Sequence, residues 1–470
     1  MFSWILTIYL RLVRLIRNNS DVAKDRISEL PDSILQEEIL TRLPTKLAVT
    51  TSILCKRWRW LWIGAPALDF SCTTNTGSRS RTMSEFVKKA KTFMDYVDNV
   101  LLHHYISTLN LRSFYLACDD HCDESRIFSW ISNVAHHNLH ELHLHIGTEQ
   151  PFAIPQSVYS CEFLTVLELS LFGGVFNLPK STSLPFLRTL VLGKVTFVDE
   201  DLTQQFFSSF LALNYLLLNH CTFYNHKKLV ISATSLHHLI IEKAQFSEAA
   251  GPIDVHGGPT IKICAPKLDS LFCFTNKFPR EFILQDMPVL QVAWIDGEEN
   301  QALIQEQVFQ NVRSLLTALV NVKKLYIAAN MLEALLDEDL VSHIPIFTNL
   351  THLQVIGFGN NGDSLRVLRV MPNLENLTFD QVIASSKDEW VSRIVESFPR
   401  DPRLMVIIQN NEKDESIEDS CIMRLLIDKS EALEITEITK STDIYPNFIV
   451  RLQIRSLIPG RPSFLVKCLW

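Results

Sequence analysis

Three groups of residues in this chain have types and spacings that could carry chemistry. His136, His137, His140, His143 and His145 crowd beside Glu141. On a strand over residues 140–145, His143 and His145 share the outer face with Glu141, an arrangement that could hold a metal. Catalytic zinc takes three well-spaced ligands and an open position, and no helical HExxH accompanies these histidines, so exposed sheet histidines are the better reading. Cys118, His121 and Cys122 invite a second zinc reading, but no second ligand pair stands nearby, and packing cysteines are expected. Gly357-Phe358-Gly359-Asn360-Asn361-Gly362 is a literal GxGxxG with Asp380 about 20 residues further on, the pattern of a dinucleotide phosphate loop. Only Asp363 to Val370 remain for a crossover helix and no second βαβ half follows, so a tight turn after a strand is expected. No Ser/His/Asp or Cys/His set stands out. The chain is read as non-catalytic, with no metal and no cofactor.

Composition narrows the function classes further. Over 470 residues, 44 basic and 52 acidic side chains give a net charge of −8, without the basic excess of a nucleic-acid binder. Ten cysteines follow no even framework, so free thiols in a reducing compartment, cytoplasm or nucleus, are expected. A hydrophobic content of 47% excludes a disordered chain. Glycine is scarce at 14 residues and leucine abundant at 65, a composition poor for phosphate loops and good for stacked repeats.

The elements that must position any site fall into segments. Residues 1–23 begin with a basic amphipathic pattern in which Ser3, Thr7, Arg11, Arg14, Arg17 and Asn18 share one helical face. The apolar run before Arg11 is shorter than the roughly 20 residues that span a bilayer. Its arginines follow the apolar residues, the reverse of a signal peptide. Membrane contact through residues 1–17 is therefore the least expected outcome, after a dispensable leader and packing on the next domain. Residues 24–70 read as a small all-helical module. Leu30-Pro31 opens a helix, Ile34, Leu35, Ile39, Leu40 and Leu43 recur at helical spacing, and Pro44 restarts the chain with Thr45 as a cap. Val49, Ile53, Leu54, Trp58, Leu61 and Trp62 continue the apolar face as far as Pro66. So short a module cannot bury that many large side chains alone, so its remaining apolar surface needs a partner. Residues 71–105 read as a helical linker.

From residue 106 to 385 the chain repeats an apolar-x-x-apolar-x-apolar template. It fits Ile106/Leu109/Leu111, Leu139/Leu142/Leu144, Leu164/Leu167/Leu169, Leu187/Leu190/Leu192, Leu213/Leu216/Leu218 and Leu236/Leu239/Ile241. It continues through Leu268/Leu271/Cys273, Leu290/Ala293/Ile295, Val322/Leu325/Ile327, Leu350/Leu353/Val355 and Leu374/Leu377/Phe379. From Leu139 onward the spacings run 25, 23, 26, 23, 32, 22, 32, 28 and 24, mostly within the leucine-rich-repeat period. Val195/Phe197, Cys221/Phe223 and Ala244/Phe246 occupy equivalent inward positions after their strands. Each unit cannot bury its apolar edge alone, and stacking makes one core beneath a curved sheet. Residues between the template leucines point to the concave face, which places Tyr215, Leu217, Ile240, Phe272, Phe274, Trp294 and Tyr326 there, flanked by Glu242, Asp296 and Lys324. Such anchors suit a bound target, unless a loop or the C-terminal segment covers them.

Two resemblances follow from these residues. Leu30-Pro31-Asp32, Ile34-Leu35, Ile39-Leu40, Arg42-Leu43-Pro44-Thr45-Lys46, Ala48-Val49, Thr51-Ser52-Ile53-Leu54 and Lys56-Arg57-Trp58 resemble the plant F-box motif in order and spacing, with Cys55 where the family usually has serine. The resemblance implies docking on a Skp-type adaptor, and through it a cullin. It places Leu30, Pro31, Ile34, Leu35, Ile39, Leu40, Leu43, Pro44, Val49, Leu54 and Trp58 in or just under that interface. With the array, and the stretch Phe114–Ser132, the chain is similar to the plant F-box/leucine-rich-repeat class over residues 24–385. The implied fold is α/β: a small all-α F-box module, then a leucine-rich-repeat solenoid whose curved parallel sheet has helical or irregular returns. The implied function is substrate recognition for a Skp–cullin–F-box ubiquitin ligase, with an unknown protein target. The alternatives are a small-ligand receptor and an interaction protein with no ligase role. The FBD domain that ends many members is not recognisable in residues 386–470, whose fold stays open.

Overall fold

The computed structural model describes residues 27, 30–71, 83–106, 111–119, 121–147, 152–172, 174–179, 181–247, 259–275, 279, 281–285, 287–297, 305–328, 331, 345–356 and 370–380. It also describes the backbone of four strands between residues 405 and 469. The amphipathic segment 1–17 and the glycine cluster 357–362 lie outside the described residues.

The N-terminal module is built from short turns. Pro31 precedes a helical turn at Asp32–Ile34, where a missing amide costs nothing. The helix widens over Leu35–Ile39, tightens at Leu40–Arg42 and restarts after Pro44 as α1 (Thr45–Thr50). No side chain caps α1. Thr45, the expected cap, instead accepts the Asp69 N–H on its hydroxyl at 2.7 Å and ties α1 to the first strand. Further turns at Thr51–Ile53 and Leu61–Gly64 lead to Pro66.

β1 (Ala67–Ser71) follows at once, and α2 (Met83–Ile106) crosses back to β2 (Ser113–Cys118), parallel to β1. The array thus begins inside the segment read as the end of the helical module. The helical stretch 71–105 is the crossover of its first unit rather than a linker. The first template also shifts, because α2 runs through Ile106 and Phe114 pairs with Leu142. The first units are Ala65/Leu68/Phe70 and Leu111/Phe114/Leu116, all buried, not Ile106/Leu109/Leu111. Apolar residues near a helix end imitate the template, and only strand pairing separates the two.

α3 (Glu124–Val134) is capped by Asp123, whose carboxylate accepts the Ser125 and Arg126 amides at 2.8 and 3.2 Å. Next come β3 (Glu141–Gly147), β4 (Val166–Phe172), β5 (Thr189–Gly193), β6 (Thr196–Phe197), α4 (Glu200–Ser208) and β7 (Tyr215–Asn219). They are followed by β8 (Thr222–Tyr224), β9 (Lys228–Ser232), β10 (His238–Ser247), β11 (Thr260–Cys264), β12 (Ser270–Thr275) and β13 (Glu281–Gln285). β14 (Val292–Gly297), α5 (Gln305–Ala318), β15 (Lys324–Ala328), β16 (His352–Ile356) and β17 (Asn376–Asp380) complete the repeats. β18 (Met405–Gln409), β19 (Leu433–Ser441), β20 (Ile449–Ser456) and β21 (Phe464–Leu469) end the described chain.

The sheet runs β1-β2-β3-β4-β5-β7-β10-β12-β14-β15-β16-β17-β18-β21, fourteen strands all parallel. β20 and β19 then add antiparallel. The C-terminal region, left open by the sequence, thus extends the sheet at its end. Strands repeat at about 4.8 Å while a helical return needs about 10 Å, so a layer of strands backed by wider returns curves with the strands inside. Not every return is helical or irregular: β9, β11 and β13 form their own parallel ladder.

The template residues from Leu139 to Leu377 are buried and join the helical module in one core. Behind the sheet, Phe197, Phe223 and Phe246 stack in a column, with centroids 5.0 Å apart at both steps and tilts of 7° and 16°. Lys194, His220 and Lys243 take left-handed φ of 53°, 51° and 51° at equivalent bends. The Lys194 and His220 amides there donate to Asn219 and Glu242 of the next unit, each at 2.8 Å.

Candidate interaction site

Two surfaces gather the residues that sequence reasoning singled out. The first is the helical module. Leu35, Leu40 and Trp58 are buried and form its floor, while Leu30, Ile39, Leu43 and Val49 are half-buried against that core. Pro44 is half-buried, and Pro31, Ile34 and Leu54 are exposed. The expected adaptor residues thus divide into a buried floor and an exposed surface. Two more large side chains belong to that surface: Ile53 is 80% exposed and Trp60 59%, against 42% for Ile34 and 45% for Leu54. Their positions inside the apolar run 49–62 are the signal that marks them. Arg57 braces the module, donating to Asp32 Oδ1 from Nε at 2.8 Å and from Nη2 at 2.6 Å, and to the Leu30 carbonyl. Gln36 Nε2 donates to the Leu61 carbonyl at 3.1 Å.

The module is fixed to the array by α2. His104 is buried, and its Nε2 donates to the Ala65 carbonyl at 3.1 Å. Burial pushes its pKa down, which the Ala65 bond opposes and neighbouring His137 reinforces. A crevice of about 320 Å³ opens between α2 and α3. Its charges already meet one another: Arg126 pairs with Asp98 and with Asp95 at 3.0 Å, and Trp130 Nε1 donates to Asp98 at 2.6 Å.

The second surface is the outward face of the sheet. Strand register sets one row across it: Asp69, Tyr115, His143, Glu168, Val191, Leu217, Ile240, Phe272, Trp294, Tyr326, Gln354 and Thr378. Five of the seven residues expected on this face stand consecutively in that row, from Leu217 to Tyr326. Tyr215 lies in the row on one side, level with His238, and Phe274 in the row on the other, level with Asp296. Val191 extends the apolar run by one strand; it sits between Leu190 and Leu192 and obeys the same alternation. All eight are partly exposed. Trp294 is the hub, with Tyr326 stacked at 5.1 Å and 22°, Phe274 edge-on at 4.9 Å and Phe272 tilted at 6.0 Å. Among the described residues its indole N–H has no hydrogen-bond partner. Glu242 borders this patch and accepts from Asn219 Nδ2 at 3.0 Å.

Towards the first strands the row turns polar. Glu168 accepts from His143 Nδ1 at 2.8 Å and lies 3.5 Å from His145 Nε2, while Glu141 is 3.9 Å from His143 Nε2. Burial lowers the His145 pKa against the pull of Glu168, and raises that of Tyr115, with Asp69 and Glu168 adding to the rise. His143, His145 and Glu141 do share the outer face, yet no group of three metal-ligating side chains is arranged for an ion among the described residues. Cys118 and Cys122 are buried, and the described cysteines form no disulfide. No described helix is long and apolar enough to cross a membrane.

The sequence has relatives among known proteins. A family model described as the LRR repeats of the FBD-associated F-box protein At5g56370 matches residues 127–280. The F-box/LRR-repeat protein At4g14103 of Arabidopsis thaliana is 30% identical over 77% of this chain and 93% of its own. The FBD-associated F-box protein At1g66310 of the same plant is 29% identical over 80% and 81%. Its F-box/LRR-repeat protein At3g59210 is 28% identical over 78% and 75%.

Proposed function

The chain belongs to the F-box/LRR-repeat family of plants, and from that premise we propose that it is the substrate-receptor subunit of a Skp–cullin–F-box ubiquitin ligase. The helical module would grip a Skp-type adaptor, the outward sheet face would hold a target protein, and the complex would work in the cytoplasm or nucleus. The observation that carries this reading is the exposure of Ile34, Ile53, Leu54 and Trp60 on a module whose own floor is complete. Large apolar groups left in water beside a finished core mark a protein interface. No residue of the chain performs covalent chemistry in this scheme. Its contribution is proximity, which raises the effective concentration of a target lysine at the ubiquitin-conjugating enzyme.

Capture on an immobilised Skp-type adaptor tests the reading. Wild type binds, and Ile34→Glu with Leu54→Glu abolishes binding while circular dichroism and melting stay native, since both side chains are exposed. Failure of the wild type to bind, or indifference to the double substitution, overturns the ligase role.

A further inference from the structure

The helical module is a set of turns of three to six residues that switch between helix types. Turns that short do not hold themselves in water, so their mutual arrangement depends on ties between them. Two of them, Asp32–Ile34 and Thr51–Ile53, bury none of their own residues, yet they carry Ile34 and Ile53 of the exposed apolar surface. Leu54 follows the second turn directly. Arg57 links the two. Its neighbour Trp58 is buried in the floor and anchors it, and the arginine reaches back to the first turn. There Nε and Nη2 both donate to Asp32 Oδ1, at 2.8 and 2.6 Å, and Nη2 also donates to the Leu30 carbonyl. The floor has a fastening of its own. Gln36 Nε2 donates to the Leu61 carbonyl at 3.1 Å, so close to Gly64 that a side chain there would meet the amide at 2.1 Å.

We propose that Arg57 is a positioning residue for adaptor binding. It sets the turn that carries Ile34 against the segment that carries Ile53, Leu54 and Trp60 before the adaptor arrives. A surface that must be ordered on contact gives up part of its binding energy to that ordering, and a surface ordered beforehand keeps it. The tie is open to water, with the Asp32 side chain 58% exposed and that of Arg57 34%, so it adds little to global stability. Its effect falls on the arrangement of the exposed turns, while the floor holds the fold. The planar guanidinium serves the carboxylate and the carbonyl together, which the single ammonium of a lysine does not match. The proposal rests on the reading of the helical module as the adaptor-docking surface and adds the residue that preorganises it.

Binding kinetics of the full chain on an immobilised Skp-type adaptor test this. Arg57→Gln lowers the association rate about threefold to tenfold, because a smaller fraction of molecules holds the competent arrangement. The dissociation rate and the melting temperature stay at their wild-type values. Asp32→Asn slows association too, and the double variant loses no more than Arg57→Gln alone, since both substitutions remove one tie. Arg57→Lys stays at least about twofold below wild type. Lys91→Gln removes the same charge from an exposed position on α2 and changes nothing. Asp32→Asn stands in should Arg57→Gln fail to fold. Faster dissociation at an unchanged association rate marks Arg57 as a direct contact and overturns the proposal. Additive losses from Arg57→Gln and Asp32→Asn overturn it as well, as does an equal effect of Lys91→Gln. Wild type that does not bind the adaptor sinks the ligase role. Wild type that binds, with Arg57→Gln indistinguishable from it, sinks the positioning role alone.

Discussion

Thr45 stands where the sequence calls for a helix cap, but its buried hydroxyl accepts an amide from across the module. Replacing Thr45 with alanine leaves the Asp69 N–H unpaired and costs about 1–3 kcal/mol in urea unfolding, whereas Thr45→Ser recovers most of it. A local cap would lose less, and an unchanged midpoint would refute the role. Tyr159 is the opposite case. It is buried, and its hydroxyl has no partner among the described residues. Tyr159→Phe removes that desolvated group, so the expected melting temperature is equal to or above wild type. His104, His137, His145 and His352 all have pKa values lowered first by burial. Between their folded values and about 6.5 the unfolded chain binds more protons, so stability is full above that range and falls with pH through it. Melting temperatures taken from pH 7.5 to 5.5 should decline, and His104→Gln, which keeps a donor for Ala65, should flatten the curve.

At the scale of elements, the phenylalanine column and the strand rows show two kinds of legibility. Phe197, Phe223 and Phe246 could be placed inward from sequence because each follows its strand at a fixed offset. Their stacking needs three units in contact. Phe223 has a ring on both sides, so Phe223→Ala should cost about 3–5 kcal/mol by calorimetry. The apolar residues of the helical module were legible as a set, through motif and helical spacing. Which of them face water was not, because Leu35 and Ile34 differ in burial only through the elements packed above them. The outward row had the same limit. Alternation gives the face of Trp294, but its neighbours Phe272 and Tyr326 follow from register between strands 22 and 32 residues apart.

Across the whole molecule, a solenoid couples each unit mainly to its neighbours. A cavity made by Leu169→Ala in β4 should lower hydrogen-exchange protection most in β3, β4 and β5 and least in β15 and β16. A uniform loss along the array would show one cooperative unit instead. The helical module is not independent of this order, since its core runs on into β1 through Trp62, Ala65 and Leu68.

The repeat, the inward parity of every template leucine from Leu139 onward and the helical module could all be read from the chain alone, because they depend on periods of two or a few tens of residues. The same periodicity placed the first unit wrongly at Ile106 and suggested a linker where α2 closes a crossover, because an apolar helix end and a repeat strand look alike one residue at a time. Which rows the outward residues form, where the array begins and how the last strands extend the sheet emerge with folding. Each of these is a pairing between segments distant in the chain. The free energy of such a pairing belongs to two strands together, so neither sequence segment contains it alone.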